Sequence, residues 1–383
     1  MARLLFVVDS PVAWKSGIWY HRIEIPSRGL NSRGHSTKQV AIGQTMPDEY
    51  MEYPNCVIMG RVYPEFANPV QLMKAYKKQG TRVIWDIDDD YWAVDPHNPS
   101  KFVSNVNKDQ YEDLIRECDA VVTPSPVLAK KIKKLVKNKK VYICPNAIDF
   151  DDYKERPHEH DELLIGYMGA ASHWKDLQII VPVLEKLHEK YDFTFVIYGM
   201  TGEPLEAAMY GYQKMLNSGL QPEQTDYYNE ALAFYDKLKN LKMVHIPFYP
   251  PEVHPSALSR ADFDIGLAPL ADSEFNRGKS NIKFYEYAAV GTAVLASDVE
   301  PYKQEVDYRA KNTFEDWYNK LEKLIVDENF RKDLAKKQQD WVKENRDVKK
   351  VAIDWEIACQ KEGGLPVLNQ DKSLIGKIKN LIK

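Results

Sequence analysis

The sequence predicts an α/β protein built from two parallel-sheet domains in tandem, on three observations. Short continuous apolar runs alternate with longer segments of helical spacing, the pattern of strands covered on both faces by helices. The pattern breaks once, in DFDDYKERPHEHDE at 149–162, which is charged, contains proline and lacks apolar periodicity, and then it restarts. At 383 residues the chain is also long for one core and comfortable for two.

Taken in order, Leu4–Val8, Cys56–Met59, Arg82–Trp85, Ala120–Thr123 and Val141–Cys144 read as strands, with helices over 69–79, 108–117 and 126–138. These make a first domain, 1–152, followed by a linker, 153–162. In a second domain, 163–345, the strands are Leu164–Tyr167, Phe193–Tyr198, Lys242–Ile246, Ile265–Pro269 and Ala293–Ala296. From Thr313 the spacing is helical almost to the end. Residues 346–383 are expected to hold helices that pack back towards the first domain, ending in the lysine-rich KSLIGKIKNLIK.

Composition narrows the function. Lys and Arg number 52 against 56 acidic residues, a net charge of −4, which predicts no general attraction for nucleic acid. The basic stretch AKKIKKLVKNKK, 129–140, reads as a solvated helix face, because Leu135 and Val136 continue a helical pattern through it. Cys56, Cys118, Cys144 and Cys359 are scattered without metal or redox spacing, so a reducing compartment is expected. The opening MARLLFVVDS is too short for a signal peptide and reads as a strand. No run approaches the ~20 apolar residues of a membrane span. These observations point to the cytoplasm, with peripheral contact at the inner membrane surface left open through a basic or amphipathic patch.

Three stretches carry candidate chemistry. EFNRGKSNIKFYEYAAVGTAVLAS, from Glu274 to Ser297, contains a Gly-Lys-Ser. An ATP-binding loop would need glycine five positions before Gly278, where Ser273 stands, so that reading fails. Two readings remain: an anion site made by the free amides at the start of a helix from Ser280, aided by Arg277, Lys279 and Lys283, or a merely capped helix. The second stretch, GYMGAASHWKDL, places Gly166 and Gly169 around a strand end and Lys175 beyond the turn, room for close approach of a ligand to backbone. In the third, VIWDIDDDYW, a strand runs into Asp86, Asp88, Asp89 and Asp90. Such acids repel one another unless they face water, a cation or a hydroxyl-rich substrate; an ordinary acidic loop is the plain alternative.

Together these stretches resemble the GT-B glycosyltransferases of retaining family 4, also called glycosyl transferases group 1. The resemblance is best across about 160–300 and looser over 1–150. KFYEYAAVGTAVLAS resembles the family's helix-and-strand motif with its essential glutamate, which falls on Glu286 and is implied to bind the donor ribose. The family's second glutamate, eight residues earlier, is Gly278 here, and Glu274 could approach the sugar instead. Amides from Gly278 through Ser280 to Asn281 would still receive donor phosphates, with Lys279. IGYMGAASHWKDL resembles the opening of the donor domain, with Lys175 or His173 implied to meet the diphosphate. PNAID, 145–149, resembles the family's PNG-x-D; Asn146 and Asp149 there read as structural. SGIWYHRIEIPSRGLNSRGH resembles an acceptor-domain opening, placing Gly17 near the donor sugar and His21 and Arg22 at the cleft.

The implied fold is GT-B: two Rossmann-like domains facing a central cleft. The implied activity is transfer of a sugar from a nucleoside-diphosphate sugar, a UDP- or GDP-sugar first, to a hydroxyl of a carbohydrate, glycolipid or other acceptor, with retention. No metal and no further cofactor is implied. Lys175, Asp88, Glu274 and His21 are the expected reaction-centre residues. Three alternatives stay open: a non-catalytic nucleotide-sugar-binding protein, an epimerase of the same fold, and a transferase that glycosylates modified bases in DNA.

Overall fold

In a computed structural model, residues 1–8, 16–41, 54–60, 68–94, 108–154, 160–170, 173–200, most of 229–238 and 241–360 are described. The tail KSLIGKIKNLIK, residues 155–159 of the linker, and Ala171 and Ser172 of the glycine loop lie outside them.

Two six-stranded sheets form, each wholly parallel. The first comprises β1 (Arg3–Val8), β2 (Ser36–Ala41), β3 (Cys56–Gly60), β4 (Arg82–Asp86), β5 (Ala120–Thr123) and β6 (Lys140–Ile143), in spatial order β2-β1-β3-β4-β5-β6. The second comprises β7 (Leu164–Met168), β8 (Thr194–Met200), β9 (Met243–Pro247), β10 (Ile265–Ala268), β11 (Ala293–Ser297) and β12 (Arg309–Ala310), in order β12-β11-β10-β7-β8-β9. Central strands such as Val57–Met59 and Ile265–Ala268 are fully buried, because helices cover both faces. Two strands escaped the sequence reading. β2 is STKQVA, an edge strand with four of six residues partly or fully exposed, so it carries no continuous apolar run. β12 has only two residues.

The first helical segment begins at α1 (Gly17–Trp19), where the Ser16 hydroxyl accepts from Trp19 N. It passes through a π-wound turn, Tyr20–Glu24, into α2 (Ile25–Ser32). Further helices of the first domain are α3 (Pro69–Lys78), α4 (Lys108–Glu117) and α5 (Pro126–Leu135), with the Ser125 hydroxyl capping α5. The sequence predicts that last helix to run to 138; it stops at Leu135, and Asn138 turns through a φ of 65°. In the second domain α6 (Trp174–Leu177), α7 (Val181–His188), α8 (His254–Ala261), α9 (Glu274–Arg277) and α10 (Ile282–Ala289) follow their strands. The described residues close through α11 (Phe314–Val326), α12 (Glu328–Asn345) and α13 (Val348–Cys359).

α13 returns to the first sheet. Its Val348, Val351, Trp355, Ala358 and Cys359 share one buried cluster with Phe6, Ile23 and Leu30. Gly29 of α2 permits this: a Cβ there would lie 2.8 Å from Ala352 Cβ and from the Val348 carbonyl oxygen. The two chain crossings between domains run side by side, since Ile148 N donates to Arg346 O (2.8 Å) and Val348 N to Ile148 O (2.9 Å). The four cysteines are buried free thiols. Among the described residues no helix is long and apolar enough to cross a membrane.

Candidate functional site

In the second sheet the chain leaves β7 in one direction, to β8 and β9, and returns on the other side at β10. The loops after β7 and β10 therefore diverge and leave a crevice at the carboxyl edge, where open α/β sheets hold ligands. The loop after β7 brings Gly169 and His173; the loop after β10 brings α9, Gly278–Asn281 and the start of α10. A Cβ on Gly169 would strike the Tyr167 hydroxyl at 2.7 Å, so this turn needs the missing side chain.

Buried Asp176 ties the loops together. Its Oδ2 meets His173 Nδ1 at 2.8 Å, and its Oδ1 accepts from Ala271 N at 2.7 Å. Burial, with Lys279 and Lys283 close by, brings the His173 imidazole down to about 4 despite Asp176. His173 is therefore a neutral ring at pH 7. Lys283 Nζ lies 4.8 Å over the Tyr167 ring and 3.4 Å from its hydroxyl. Burial, with Lys279 adding repulsion and Asp176 opposing, lowers its ammonium to about 8. Two cations and a neutral imidazole thus crowd one crevice, which suits a polyanion.

Glu286 lies one turn beyond Lys283 on α10 and is 4% exposed. Its Oε1 accepts from the Tyr153 hydroxyl (2.7 Å) and from His254 Nε2 (3.1 Å), with His21 Nε2 at 3.4 Å. His254 Nδ1 meets the Tyr198 hydroxyl at 2.8 Å, so with its proton on Nε2 the ring accepts from Tyr198 and donates to Glu286. Burial alone would raise the Glu286 carboxyl; His254 and His21 outweigh it and hold the group well below the usual carboxylate range. All three donors converge on Oε1, and no donor among the described residues meets Oε2.

The first domain meets this edge at several points. His21 reaches Glu286; Asn146 Nδ2 donates to the Ser280 hydroxyl at 2.9 Å; Lys131 Nζ bridges Asp90 (2.7 Å) and Glu274 (2.8 Å). Asn146 is held by Arg22 Nη1 at 3.0 Å, and Arg22 also forks onto buried Asp86 at 3.0 and 2.7 Å. The end of the first domain and the first linker residue are held from both sides. Tyr20 donates to Asp152 (2.7 Å) and Arg28 to Asp149 (3.2 Å), while Tyr153 serves Glu286.

His21, His173, Lys279, Ser280, Asn281 and Glu286 thus come to one edge of the second domain. Asn281 is buried at the start of α10 and its amide donates to Glu305 at 2.5 Å. The other candidates are more exposed or engage neighbours of their own. Lys175 is exposed on α6, with Nζ 5.6 Å from the Trp174 ring centroid. Arg277 forks onto Asp272 at 2.6 and 3.0 Å. Glu274 is exposed and engaged with Lys131, and Gly17 is exposed at the start of α1 with open space where a Cβ would stand. Asp88 accepts from the Tyr91 hydroxyl at 2.6 Å. The four aspartates do not act as one cluster: Arg22 neutralises Asp86 and Lys131 neutralises Asp90.

Asp176, Tyr153, Tyr198 and His254 were not singled out in the sequence. The Tyr153–Glu286 contact joins positions 133 residues apart, and no spacing rule marks it. Lys283 had a weak signal, three residues before Glu286 on one helix face. Among the described residues no group of three His, Cys, Asp or Glu is placed to hold a metal ion. A groove of about 780 Å³ bordered by Phe284, Asp307 and Trp341 takes in Glu305 but none of the candidate residues.

Neither a family model nor a curated protein matches the sequence. Solved structures do match in shape. A sucrose-phosphate synthase from Thermosynechococcus elongatus superposes with a TM-score of 0.63 at 10% identity, over 93% of this chain and 98% of that one. An alpha-glucosyltransferase in complex with UDP-glucose and DNA containing an abasic site gives 0.64 at 14%, over 94% and 100%. A glycosyltransferase from Rickettsia africae gives 0.62 at 14%, over 94% and 98%. At such identities the likeness speaks for architecture alone: two Rossmann-like parallel-sheet domains facing a cleft, the GT-B fold.

Proposed function

We propose that this chain is a glycosyltransferase that takes a sugar from a nucleoside-diphosphate sugar and passes it to a hydroxyl acceptor with retention. The observation that carries the reading is the pairing, one helical turn apart on α10, of a lysine lowered to about 8 with a buried, ionised glutamate. Lys283 and Lys279 suit the diphosphate, and Glu286 Oε2 suits the hydroxyls of a ribose. Both stand at the crevice between β7 and β10, together with the amides of Ser280 and Asn281.

As the bond from sugar to phosphate breaks, negative charge grows on the departing diphosphate oxygen. Lys283 and Lys279 stabilise that charge more than the intact donor, which is how they lower the barrier. Removing one such preorganised donor typically costs about 10²–10³ in rate. The acceptor hydroxyl approaches from the first domain, and Asp88 and His21 are assigned to orient it. Contact between the domains across His21–Glu286 and Asn146–Ser280 excludes water from the donor.

The test is a calorimetric titration of UDP-, GDP-, ADP- and TDP-sugars beside the free diphosphates, on the wild type, Glu286→Ala, Lys283→Ala and Lys175→Ala. One nucleotide series is expected to bind at micromolar affinity and to weaken about 10- to 100-fold without Glu286. No binding by any series overturns the reading.

One observation favours a polyanionic acceptor, nucleic acid included. Lys130, Lys133, Lys134 and Lys137 on and after α5 are exposed and, among the described residues, have no acidic partner. The alpha-glucosyltransferase of like fold was solved with DNA. Retention on DNA that falls steeply with salt and weakens in a Lys130→Ala/Lys134→Ala variant supports this acceptor class; salt-independent or absent retention removes it.

A further inference from the structure

Gly278 immediately precedes Lys279 in the loop that faces the phosphate crevice, so a sugar attached to a diphosphate held by Lys279 and Lys283 lies close to Gly278. What stands there belongs to the other domain. A Cβ built on Gly278 would come 3.2 Å from Asp90 Cβ and 3.9 Å from Asp90 Oδ2. The space into which a side chain at 278 would grow is thus filled from across the cleft by a carboxylate.

Asp90 is placed as a recognition group rather than as a surface acid. It is 3% exposed, its two oxygens accept from Lys131 Nζ at 2.8 and 2.7 Å, and its Oδ1 also accepts from Trp92 N at 3.2 Å. An ionised carboxylate offers about four acceptor directions, so Oδ2, the oxygen nearer Gly278, keeps one for a further donor. Burial pushes this carboxyl up against the pull of Lys131, so the pair does not fully repay the removal of Asp90 from water. The same Lys131 ammonium reaches the exposed Glu274 at 2.8 Å, a contact that a ligand oxygen can replace.

A carboxylate beside an ammonium offers an acceptor and a donor within one hydroxyl spacing, the pairing that vicinal sugar hydroxyls satisfy. We propose that Asp90, with Lys131, holds the hydroxyls of the donor sugar, a carboxylate lent by the first domain to a donor loop that has none of its own at Gly278. The assignment rests on the donor-site reading above and adds to it a specificity-determining pair. It also makes sugar recognition depend on the closed cleft, while the nucleotide needs only the second domain.

The experiment compares affinity for a free nucleoside diphosphate with affinity for its sugar conjugate, using UDP with UDP-glucose and GDP with GDP-mannose. Wild type, Asp90→Ala, Asp90→Asn, Gly278→Glu and the double variant Asp90→Gly/Gly278→Glu are titrated by calorimetry, each with a thermal melt. Asp90→Ala and Asp90→Asn are expected to lose about 10- to 100-fold for the conjugate, with the free diphosphate unchanged within about twofold. Gly278→Glu alone loses conjugate affinity because its side chain runs into Asp90. The double variant, with space opened and the carboxylate returned to the loop, regains most of it.

An unchanged conjugate-to-diphosphate ratio in both Asp90 variants overturns the proposal, as does equal loss of both ligands, the signature of a purely structural latch. A double variant no better than Asp90→Ala also counts against it. In each of these cases binding of the free diphosphate by the wild type leaves the donor-site reading standing. Absence of all nucleotide binding in the wild type overturns both.

Discussion

Nucleotide binding at pH 8 is expected to draw a proton from solution, and Lys283 is the group that takes it. Burial, helped by Lys279, holds its ammonium at about 8 in the free protein. At pH 8 about half the molecules therefore carry the charge, and at pH 7 about nine in ten. A diphosphate beside Nζ brings two or more negative charges, which return the group to the ordinary lysine range of about 10.4. Binding then takes up about 0.5 proton at pH 8, about 0.1 at pH 7 and about 0.9 at pH 9. His173, brought down to about 4, stays neutral across that range and adds little. Calorimetric titration with UDP or GDP in HEPES and in Tris separates the proton from the binding heat, since the buffers differ in ionisation enthalpy. Lys283→Met should bind more weakly and show almost no buffer dependence. Heats that agree between buffers at pH 8, or an uptake that survives in Lys283→Met, would refute the reasoning.

Two predictions concern the scaffold. Arg22→Ala leaves Asp86 buried without its fork, so unfolding in urea should show a loss of about 3–5 kcal/mol; Arg22→Met with Asp86→Leu should cost much less, because no unpaired charge remains. Acid should weaken the fold through His173. Its native pKa of about 4 lies below the unfolded value of about 6.5, so the unfolded chain binds the extra proton first, and stability falls as pH drops from about 6.5 to about 4. The loss is at most about 3 kcal/mol, and His173→Asn should flatten that limb of a stability–pH curve measured by urea unfolding.

Strands such as Val57–Met59 and Ile265–Ala268 were legible because burial on both faces demands an unbroken apolar run, and such a run is a local signal. β2 was not, because an edge strand buries only part of itself and STKQVA reads as a polar loop. The same limit applies at the site. Lys279, Lys283 and Glu286 sit within one short stretch, and helical spacing relates the last two. His254, Tyr153 and Asp176 join the site through contacts between elements, Asp176 to Ala271 across 95 residues for example. Nothing local foretells such a pairing. The acids of VIWDIDDDYW show the opposite error. In sequence they look like one cluster, yet Asp86 finds its cation 64 residues away and Asp90 finds one 41 residues away.

The return of α13 to the first domain has a consequence for how the protein is made. Trp355, Ala358 and Cys359 belong to the same buried cluster as Phe6 and Leu30. Ribosomes add about 5–20 residues per second, so about 10–40 s separate the emergence of residue 150 from that of residue 360. Throughout that interval the N-terminal half has its strands but lacks the last wall of its core. The C-terminal half, whose own clusters draw on Ile148 and later residues, can close first. Released chains truncated before residue 348 should thus carry a protease-sensitive N-terminal half beside a resistant C-terminal one, a reversal of the usual order of maturation along a two-domain polypeptide.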